Sequence, residues 1–309
     1  MKRIIIDTDP GVDDAQAIMM AVAHPDAQVE AITVVGGNVG LQHTVANACT
    51  ILDVLGADIP VYAGCGRALV LDGEDAASIH GADGLGEAGF PPSSREVEKE
   101  HAAAALVRMA NEAPGEISLI AIGPLTNLAV ALQLDPDLPR KFKELVIMGG
   151  TISARGNTSY ISAEFNIAAD PEAAHIVFSR WPRLTMISWE TTLAHYFPLD
   201  TRDKWIALGT PQSVFYEKIT NRLITFVRQV LKRGTLVSAD GLAMAVLLEP
   251  DIVQQAAQHH VSVELTGTYT RGQTTVDWQD RTGLPANVRV VLEADVSRFV
   301  ELLGMGMGS

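Results

Sequence analysis

The sequence is poor in several features that mark particular classes of protein. Only two of its 309 residues are cysteine, Cys49 and Cys65, which is too few for a disulfide framework and is typical of thiols in a reducing compartment. Lysine and arginine (23) are outnumbered by aspartate and glutamate (37), which argues against a nucleic-acid partner because binding to phosphates depends on Lys and Arg. No apolar run reaches membrane-spanning length, and no charged-then-apolar leader precedes the first strand. The sequence therefore predicts a cytoplasmic protein with no nucleic-acid or membrane partner.

Strand-like and helical patterns alternate along most of the chain. An apolar, β-branched run at residues 4–6 predicts a buried strand, and helically spaced apolar residues follow it. Further strands are predicted at 29–35 and 117–122, with helical patterns such as 97–112 between them, which is typical of βαβ units. Hydrophobic residues make up 47% of the chain and charged residues 19%, as in packed globular proteins. We therefore expect an α/β fold with an open, mostly parallel central sheet flanked by helices, formed as one domain over residues 1–309.

Three segments are expected to lie around the edge of this sheet. Residues 63–95 are rich in glycine and small polar residues and show no clear period. A long irregular segment inside a compact domain is commonly a functional loop, so we expect an active-site loop there. The segments around 195–235 and 266–285 are expected to form a small capping region.

The densest group of acidic residues follows the first strand. Residues 7–14 read D-T-D-P-G-V-D-D, which gathers four carboxylates at the carboxyl end of a strand, where open α/β sheets bind ligands. Four carboxylates so close together repel one another unless a cation lies among them, and oxygen-rich sites suit Ca²⁺ or Mg²⁺. A role at the positive end of the helix dipole accounts for Asp13 and Asp14, but not for Asp7 and Asp9 as well. The segment therefore predicts a metal or catalytic site.

Separated segments of the chain resemble the inosine–uridine-preferring nucleoside hydrolases. They are D-x-D-P-G-x-D-D-A at 7–15, H-G-x-D-G-L-G at 80–86, G-P-L-T-N at 123–127 and A-E-F-N at 163–166, in the family's order. The resemblance implies a Rossmann-like fold and Ca²⁺-dependent hydrolysis of the N-glycosidic bond of purine and/or pyrimidine ribonucleosides, giving ribose and free base for nucleoside salvage. Family members are commonly oligomers, so the resemblance also implies a homodimer or homotetramer.

The resemblance implies roles for individual residues. The implied Ca²⁺ ligands are Asp9, Asp14, Asp240 and the main-chain carbonyl of Ile122, and Asp9 is also the implied general base. The implied ribose ligands are Asp13, Asn38, Asn157, Glu164 and Asn166. His80 is implied to border the nucleoside pocket and is a candidate catalytic residue. Without the resemblance, Asp240 is equally well explained as a helix N-cap.

Departure of the base is the step for which the sequence offers no clear residue. Many relatives have histidine or tryptophan immediately before the metal-binding aspartate, and this chain has Ala239. The alternatives are His80, His195 and Tyr216 for protonation of the base, and Trp189 and Trp278 for stacking against it. The preferred base therefore stays open.

Two other functions compete with nucleoside hydrolysis. A haloacid-dehalogenase-type phosphatase also has D-x-D after its first strand, and would use Asp7 as nucleophile, Asp9 as acid/base and Mg²⁺ as cofactor. That interpretation leaves the A-E-F-N and H-G-x-D-G segments without a role. The second alternative is a non-catalytic nucleoside-binding protein that has lost assistance to the leaving base at Ala239.

Overall fold

Strands and helices alternate through the chain in the computed structural model, which describes residues 1–71, 73–230 and 232–308. The strands are β1 (Lys2–Thr8), β2 (Ala27–Val34), β3 (Val61–Ala63), β4 (Ile117–Ala121), β5 (Glu144–Met148), β6 (Leu184–Ile187), β7 (Phe197–Pro198), β8 (Thr235–Leu236), β9 (Val253–His259), β10 (Val261–Val263), β11 (Thr274–Val276) and β12 (Val288–Ala294). The α-helices are α1 (Val12–Ala23), α2 (Leu41–Leu55), α3 (Ala77–His80), α4 (Ala102–Glu112), α5 (Thr126–Leu134), α6 (Phe165–Ala169), α7 (Pro171–Arg180), α8 (Trp189–Ala194), α9 (Leu199–Ile206), α10 (Pro211–Gln229), α11 (Ala239–Leu248) and α12 (Val296–Gly306). Short 3₁₀ helices lie at Leu138–Arg140 and Pro250–Ile252.

Eight of the strands form the central sheet, in the order β3-β2-β1-β4-β5-β6-β12-β9. Every neighbouring pair is parallel except β12 and β9, which are antiparallel at one edge. The predicted open, mostly parallel α/β sheet is therefore confirmed. Among the described residues, no helix combines the length and apolar character needed to span a membrane.

At two places the structure differs from what the sequence predicts. The sequence does not predict the edge strand β9, because its segment V-Q-Q-A-A-Q-H is mostly polar or small and lacks a clear strand pattern. Pairing with β12 makes it a strand. The helix predicted at 97–112 begins only at Ala102, because the side chain of His101 accepts a hydrogen bond from the backbone N–H of Ala103 and caps the helix there.

Helices cover both faces of the sheet, so the protein has two hydrophobic core layers. Successive side chains of a strand point to opposite faces, and β1 shows this directly. Ile4 and Ile6 pack in the layer with α1, α2, α10, α11 and α12. Ile5 packs in the layer with α4, α5 and α7. All three isoleucines are fully buried, so β1 is a central strand that fixes the position of the acidic residues after it.

The order of the strands places a ligand cleft beside β1. The chain continues from β1 to β2 and β3 on one side and later returns through β4, β5 and β6 on the other, so the sheet switches direction between β1 and β4. Such a switch point opens a crevice at the carboxyl ends of the strands. Residues that follow β1, such as Asp9, therefore meet residues that follow β4, such as Ile122.

Candidate active site

Three carboxylates from two helices converge at the switch point. Asp13 and Asp14 lie in the first turn of α1, and Asp240 lies in the first turn of α11. Each offers a carboxylate oxygen within 4.8 Å of the oxygens of the other two. Helices α1 and α11 pack against each other, so their positive N-terminal ends both face these acids. The packing of two segments that are distant in sequence thus adds Asp240 to the neighbouring acids Asp13 and Asp14.

Asp9 lies next to this cluster with one carboxylate oxygen unpartnered. Its Oδ2 accepts a hydrogen bond from the backbone N–H of Asn38 at 2.7 Å. Its Oδ1 is buried and has no partner among the described residues. A Cβ atom at Gly37 would approach Oδ2 to 2.2 Å, and one at Gly123 would approach Oδ1 to 2.5 Å, so these two positions accept only glycine without a shift. The carboxylate is therefore held between two loops with one oxygen left for a ligand.

Asp14 is oriented by three hydrogen bonds. Its Oδ1 accepts from Thr8 Oγ1 at 2.5 Å, and its Oδ2 accepts from the backbone N–H of Gly11 at 2.8 Å and from Asn38 Nδ2 at 3.1 Å. Asn38 thus contacts both Asp9 and Asp14 from the loop after β2. These bonds fix the two buried carboxylates relative to each other.

The acidic residues destabilise one another's ionised forms. Burial, and then the charge of Asp13, raise the pKa of Asp14 to about 6. Burial raises the pKa of Asp9 well above its usual range, and the charge of Asp14 adds to this effect. Burial also raises the pKa of Asp240, with contributions from Asp13, Asp14, Asp9 and then Glu164. A bound cation relieves this repulsion.

The chemistry of the donors fits a hard divalent cation. All of the converging groups are oxygen donors, and the buried Oδ1 of Asp9 has no other partner. Oxygen-only sites of this kind suit Ca²⁺ or Mg²⁺ rather than a soft metal. The carbonyl of Ile122 accepts a hydrogen bond from Asn166 Nδ2 at 3.2 Å, and Ile122 lines the same cavity as Asp13 and Asp240. The structure therefore brings the predicted metal residues to one place, although Asp9 is not a member of the group within 4.8 Å.

A cavity of about 920 Å³ opens above the acidic cluster. Ligand pockets typically measure roughly 300–1,000 Å³, so it has room for a small polar molecule with a ring system. The predicted site residues on its wall are Asp13, Asn38, His80, Ile122, Asn157, Glu164, Asn166 and Asp240. Asp9 and Asp14 are fully buried and do not belong to this lining.

Glu164 and Asn166 are held by the backbone around α6. Glu164 caps this helix, and its carboxylate accepts hydrogen bonds from the N–H groups of Asn166 (3.0 Å), Ile167 (3.3 Å) and Gly150 (2.9 Å). Burial raises its pKa to about 7, and these three bonds oppose that shift. Asn166 Nδ2 donates to the carbonyl of Met148 at 3.1 Å as well as to that of Ile122. Both side chains are therefore fixed before any ligand arrives.

Asn157 and His80 belong to two loops at the mouth of the cavity. Asn157 is exposed, and its Oδ1 accepts from the backbone N–H of Phe165 at 2.9 Å. His80 lies in α3, and its Nδ1 accepts from the backbone N–H of Val12 at 3.1 Å. Because Nδ1 is the acceptor, the Nε2 atom of the neutral ring has the proton. The two loops also meet directly, since Ser159 donates hydrogen bonds to Glu74.

The remainder of the cavity wall is mostly apolar. Helix α10 contributes Tyr216, Thr220, Leu223 and Val227, which recur at helical spacing on one face. We use the term apolar wall for Trp189, Leu193, Tyr196, Tyr216, Leu223, Phe226 and Val227. Most of this wall was not predicted as functional, because helically spaced apolar residues are equally typical of core packing. Ala239 lies beside it and is also part of the lining.

Only some of the residues considered for protonating or stacking on the leaving base line the cavity. His195 is buried, with its Nδ1 2.6 Å from the carbonyl oxygen of Thr191 and its Nε2 accepting from the N–H of Ala294 at 2.8 Å, so both ring nitrogens are engaged within the fold. Neither His195 nor Trp278 lines the cavity, whereas His80, Tyr216 and Trp189 do. Burial raises the pKa of Tyr216 further above its usual value, which makes it a phenol at neutral pH.

Comparison with known proteins agrees with this geometry. Residues 4–301 match the protein family described as inosine–uridine preferring nucleoside hydrolase. The chain belongs to this family. The chain is 37% identical over 297 residues to the non-specific ribonucleoside hydrolase RihC of Escherichia fergusonii, covering 96% of this chain and 95% of that protein.

Solved structures of nucleoside hydrolases share the fold closely. An inosine–guanosine nucleoside hydrolase superposes with a TM-score of 0.92 at 36% identity, covering 99% of this chain and 98% of the other. A purine-preferring ribonucleoside hydrolase from Gardnerella vaginalis superposes with a TM-score of 0.91 at 30% identity, again covering 99% and 98%. The protein is therefore an enzyme that acts on N-glycosyl bonds, as the resemblance of its sequence predicted.

The phosphatase alternative fails on both sequence and structure. The family match spans nearly the whole chain. Asp7, which would be the nucleophile, is fully buried and lies outside the cavity lining. Its Oδ2 accepts from Thr33 Oγ1 at 2.6 Å and from Asn127 Nδ2 at 2.9 Å. Asp7 therefore ties β1 to its neighbours rather than facing a substrate.

Proposed function

We propose that this nucleoside hydrolase uses Ca²⁺ to hydrolyse purine and/or pyrimidine ribonucleosides to ribose and free base. The observation that carries the proposal is the junction, in one cavity, of an oxygen-only acidic cluster with prearranged carboxylate and amide side chains and with an apolar wall. A ribonucleoside has a matching division between a polyhydroxylated sugar and a flat base.

Asp9, Asp14, Asp240 and the carbonyl of Ile122 would hold the cation. When bound, Ca²⁺ would make a water molecule more acidic than bulk water. Asp9 is the proposed general base, since its Oδ1 has no protein partner.

The sugar is the part of the substrate that the rigid polar residues would hold. The proposed ribose ligands are Asp13, Asn38, Asn157, Glu164 and Asn166. Glycosidic cleavage passes through an oxocarbenium-like state, and fixed carboxylate and amide oxygens stabilise the developing positive charge. Positioning of this kind contributes on the order of 7–11 kcal/mol at best. The hydrogen bonds that fix Glu164 and Asn166 within the protein supply such preorganisation.

The base would lie against the apolar wall, with His80 as the proposed catalytic residue near it. The proton on His80 Nε2 is free of the bond that Nδ1 makes to Val12, so the ring is oriented and retains a donor. Trp189 and Tyr216 offer aromatic surface on the same wall. The chain is similar both to a non-specific ribonucleoside hydrolase and to a purine-preferring one, which supports a range of bases for this chain.

We also propose that the enzyme is cytoplasmic and forms a homodimer or homotetramer. Its two cysteines are free thiols, which suits a reducing compartment. The proposed oligomer rests on the resemblance to the family, and light scattering of the purified protein measures its mass directly. A monomeric mass would contradict it.

Sugar release from a panel of nucleosides tests the function. Purified enzyme is incubated with inosine, adenosine, guanosine, uridine or cytidine, and reducing sugar is measured with Ca²⁺, with Mg²⁺ and with a chelator. We expect release of ribose that the chelator abolishes and Ca²⁺ restores. Release that survives the chelator would contradict the cation requirement, and binding without release would favour the non-catalytic alternative.

A further inference from the structure

One side chain in the cavity wall has an amide nitrogen with no hydrogen-bond partner among the described residues and no assigned role. Gln16 lies on α1, three residues after Asp13, and lines the cavity. Its side chain is 3% exposed, and its Nε2 makes no hydrogen bond within the described residues. Leaving a buried amide donor unpaired lowers stability, and an apolar side chain would avoid that loss. The residue is therefore better explained by a ligand that completes its hydrogen bonding.

Helix geometry places Gln16 on the same face of α1 as Asp13, the face that meets the cavity. Residues three apart share a face of a helix, and their side chains lean toward its N-terminus, so Gln16 follows Asp13 along the face that meets the cavity. Asp13, Glu164 and Tyr216 line the same cavity. Helix α10 packs against α1 and presents Tyr216 and Thr220 to the cavity. Gln16 thus lines the same cavity as Asp13 of the acidic cluster, and it lies on a helix that packs against α10 of the apolar wall.

We propose that Gln16 contacts the leaving base and donates a hydrogen bond to the acceptor beside the glycosidic nitrogen, which is O2 in pyrimidines and N3 in purines. The inference rests on the proposed function, because the boundary between the sugar ligands and the apolar wall is where the glycosidic bond would lie. A half-turn of the amide about its last side-chain bond exchanges its oxygen and nitrogen. Nε2 makes no bond that this rotation would break.

The contact would assist departure of the base, a step for which the side chain of Ala239 has no proton donor. Negative charge builds on the base as the glycosidic bond breaks, and a donor to the adjacent acceptor stabilises that charge. The bond strengthens toward the transition state, so its loss lowers kcat more than it raises KM. Because both classes of base have an acceptor at this place, the contact serves purine and pyrimidine substrates alike.

The substitution Gln16→Met removes the amide and keeps a chain of similar length. We expect kcat/KM for inosine and uridine to fall about 10- to 100-fold, the range for losing a hydrogen bond to a charged group. p-Nitrophenyl riboside has a good leaving group with no acceptor beside the glycosidic atom, and its kcat/KM should change less than about threefold. The melting temperature should be unchanged or higher, because the substitution removes an unpaired buried donor.

The control variant is Gln42→Met, the same change at an exposed position on α2, and it should leave both substrates unaffected. Unchanged nucleoside hydrolysis by Gln16→Met would overturn the contact while leaving the function in place. An equal loss on both substrates would also overturn it, since the effect would then not depend on the base. If wild-type enzyme cleaves neither the nucleosides nor p-nitrophenyl riboside, the proposed function and this contact fall together.

Discussion

The two walls of the active-site cavity are built on different principles. The oxygen-rich wall (Asp13, Asn38, Glu164, Asn166 and Asp240) contains side chains that the protein itself fixes, as in the three backbone N–H groups that bind Glu164. The apolar wall is made of side chains of α8 and α10 together with Tyr196, and Gln16, which lines the same cavity, has an unpaired amide nitrogen.

This difference follows from the division of the substrate that we propose. Every ribonucleoside has the same sugar, so the groups that bind it can be fixed in advance. Bases differ in size and in their hydrogen-bonding edges, and an apolar surface accepts several of them because burial of apolar area has no directional requirement. Changes to the oxygen-rich wall should therefore lower the rate for all substrates, whereas changes within the apolar wall or at Ala239 should alter their ratios.

The largest effect is expected at Asp9. Asp9→Asn keeps the shape of the side chain but removes the proposed base, so kcat for every active nucleoside should fall about 100- to 10,000-fold, the usual range for a general base. Sugar release by stopped assay measures this, and Asp58→Asn, at an exposed position, is the matched control. A fall that depends strongly on the base would contradict the contrast between the walls.

Asp240→Asn should chiefly weaken binding of the cation. The substitution removes one charge from the group of three carboxylates, so we expect Ca²⁺ to bind less tightly and kcat/KM to fall about 100-fold at limiting Ca²⁺. A ligand at about 100 times its Kd stabilises a protein by about 2.7 kcal/mol, which appears as a rise in melting temperature with Ca²⁺. The variant should lose most of that rise, and Asp251→Asn, at an exposed position, should keep it. A full rise in the variant would argue against Asp240 as a ligand.

Cation affinity should decrease as the pH is lowered. The pKa of Asp14 is raised to about 6, so its carboxyl is mostly ionised at pH 7 and mostly protonated at pH 5, where a proton must leave before the cation binds. Competition by this proton alone predicts roughly tenfold weaker binding of Ca²⁺ at pH 5 than at pH 7. Calorimetric titration at both values measures the difference. Equal affinity would show that Asp14 does not exchange a proton on binding.

The smallest effect is expected at Ala239, on the border of the apolar wall. Ala239→His places a proton donor in the lining of the cavity, and it should change the ratio of purine to pyrimidine turnover by about fivefold, since one additional hydrogen bond contributes about 1 kcal/mol. The nucleoside panel measures this ratio, with Ala207→His at the end of α9 as the control. An unchanged ratio would contradict our view that Ala239 influences base preference.

Much of the acidic part of the site was predictable because three of its residues are close in sequence. Asp9, Asp13 and Asp14 lie within six residues at a strand end and a helix start, and local periodicity is enough to place them together. Asp240 was different, because an aspartate at the start of a helix has an ordinary explanation as a cap. It became part of the cluster only through the packing of α11 on α1.

The sequence by itself determined the α/β fold, the strand end that bears the acidic residues and the family to which the chain belongs. These depend on short-range patterns, namely the alternation of strands and helices and the spacing of conspicuous residues. Only the tertiary structure decided that His195 serves the fold, that α10 forms much of the apolar wall, and that Gln16 lines the cavity and has a buried, unpaired amide nitrogen. The physical reason is that burial and hydrogen-bond satisfaction depend on which distant segments pack together, and no local pattern records that.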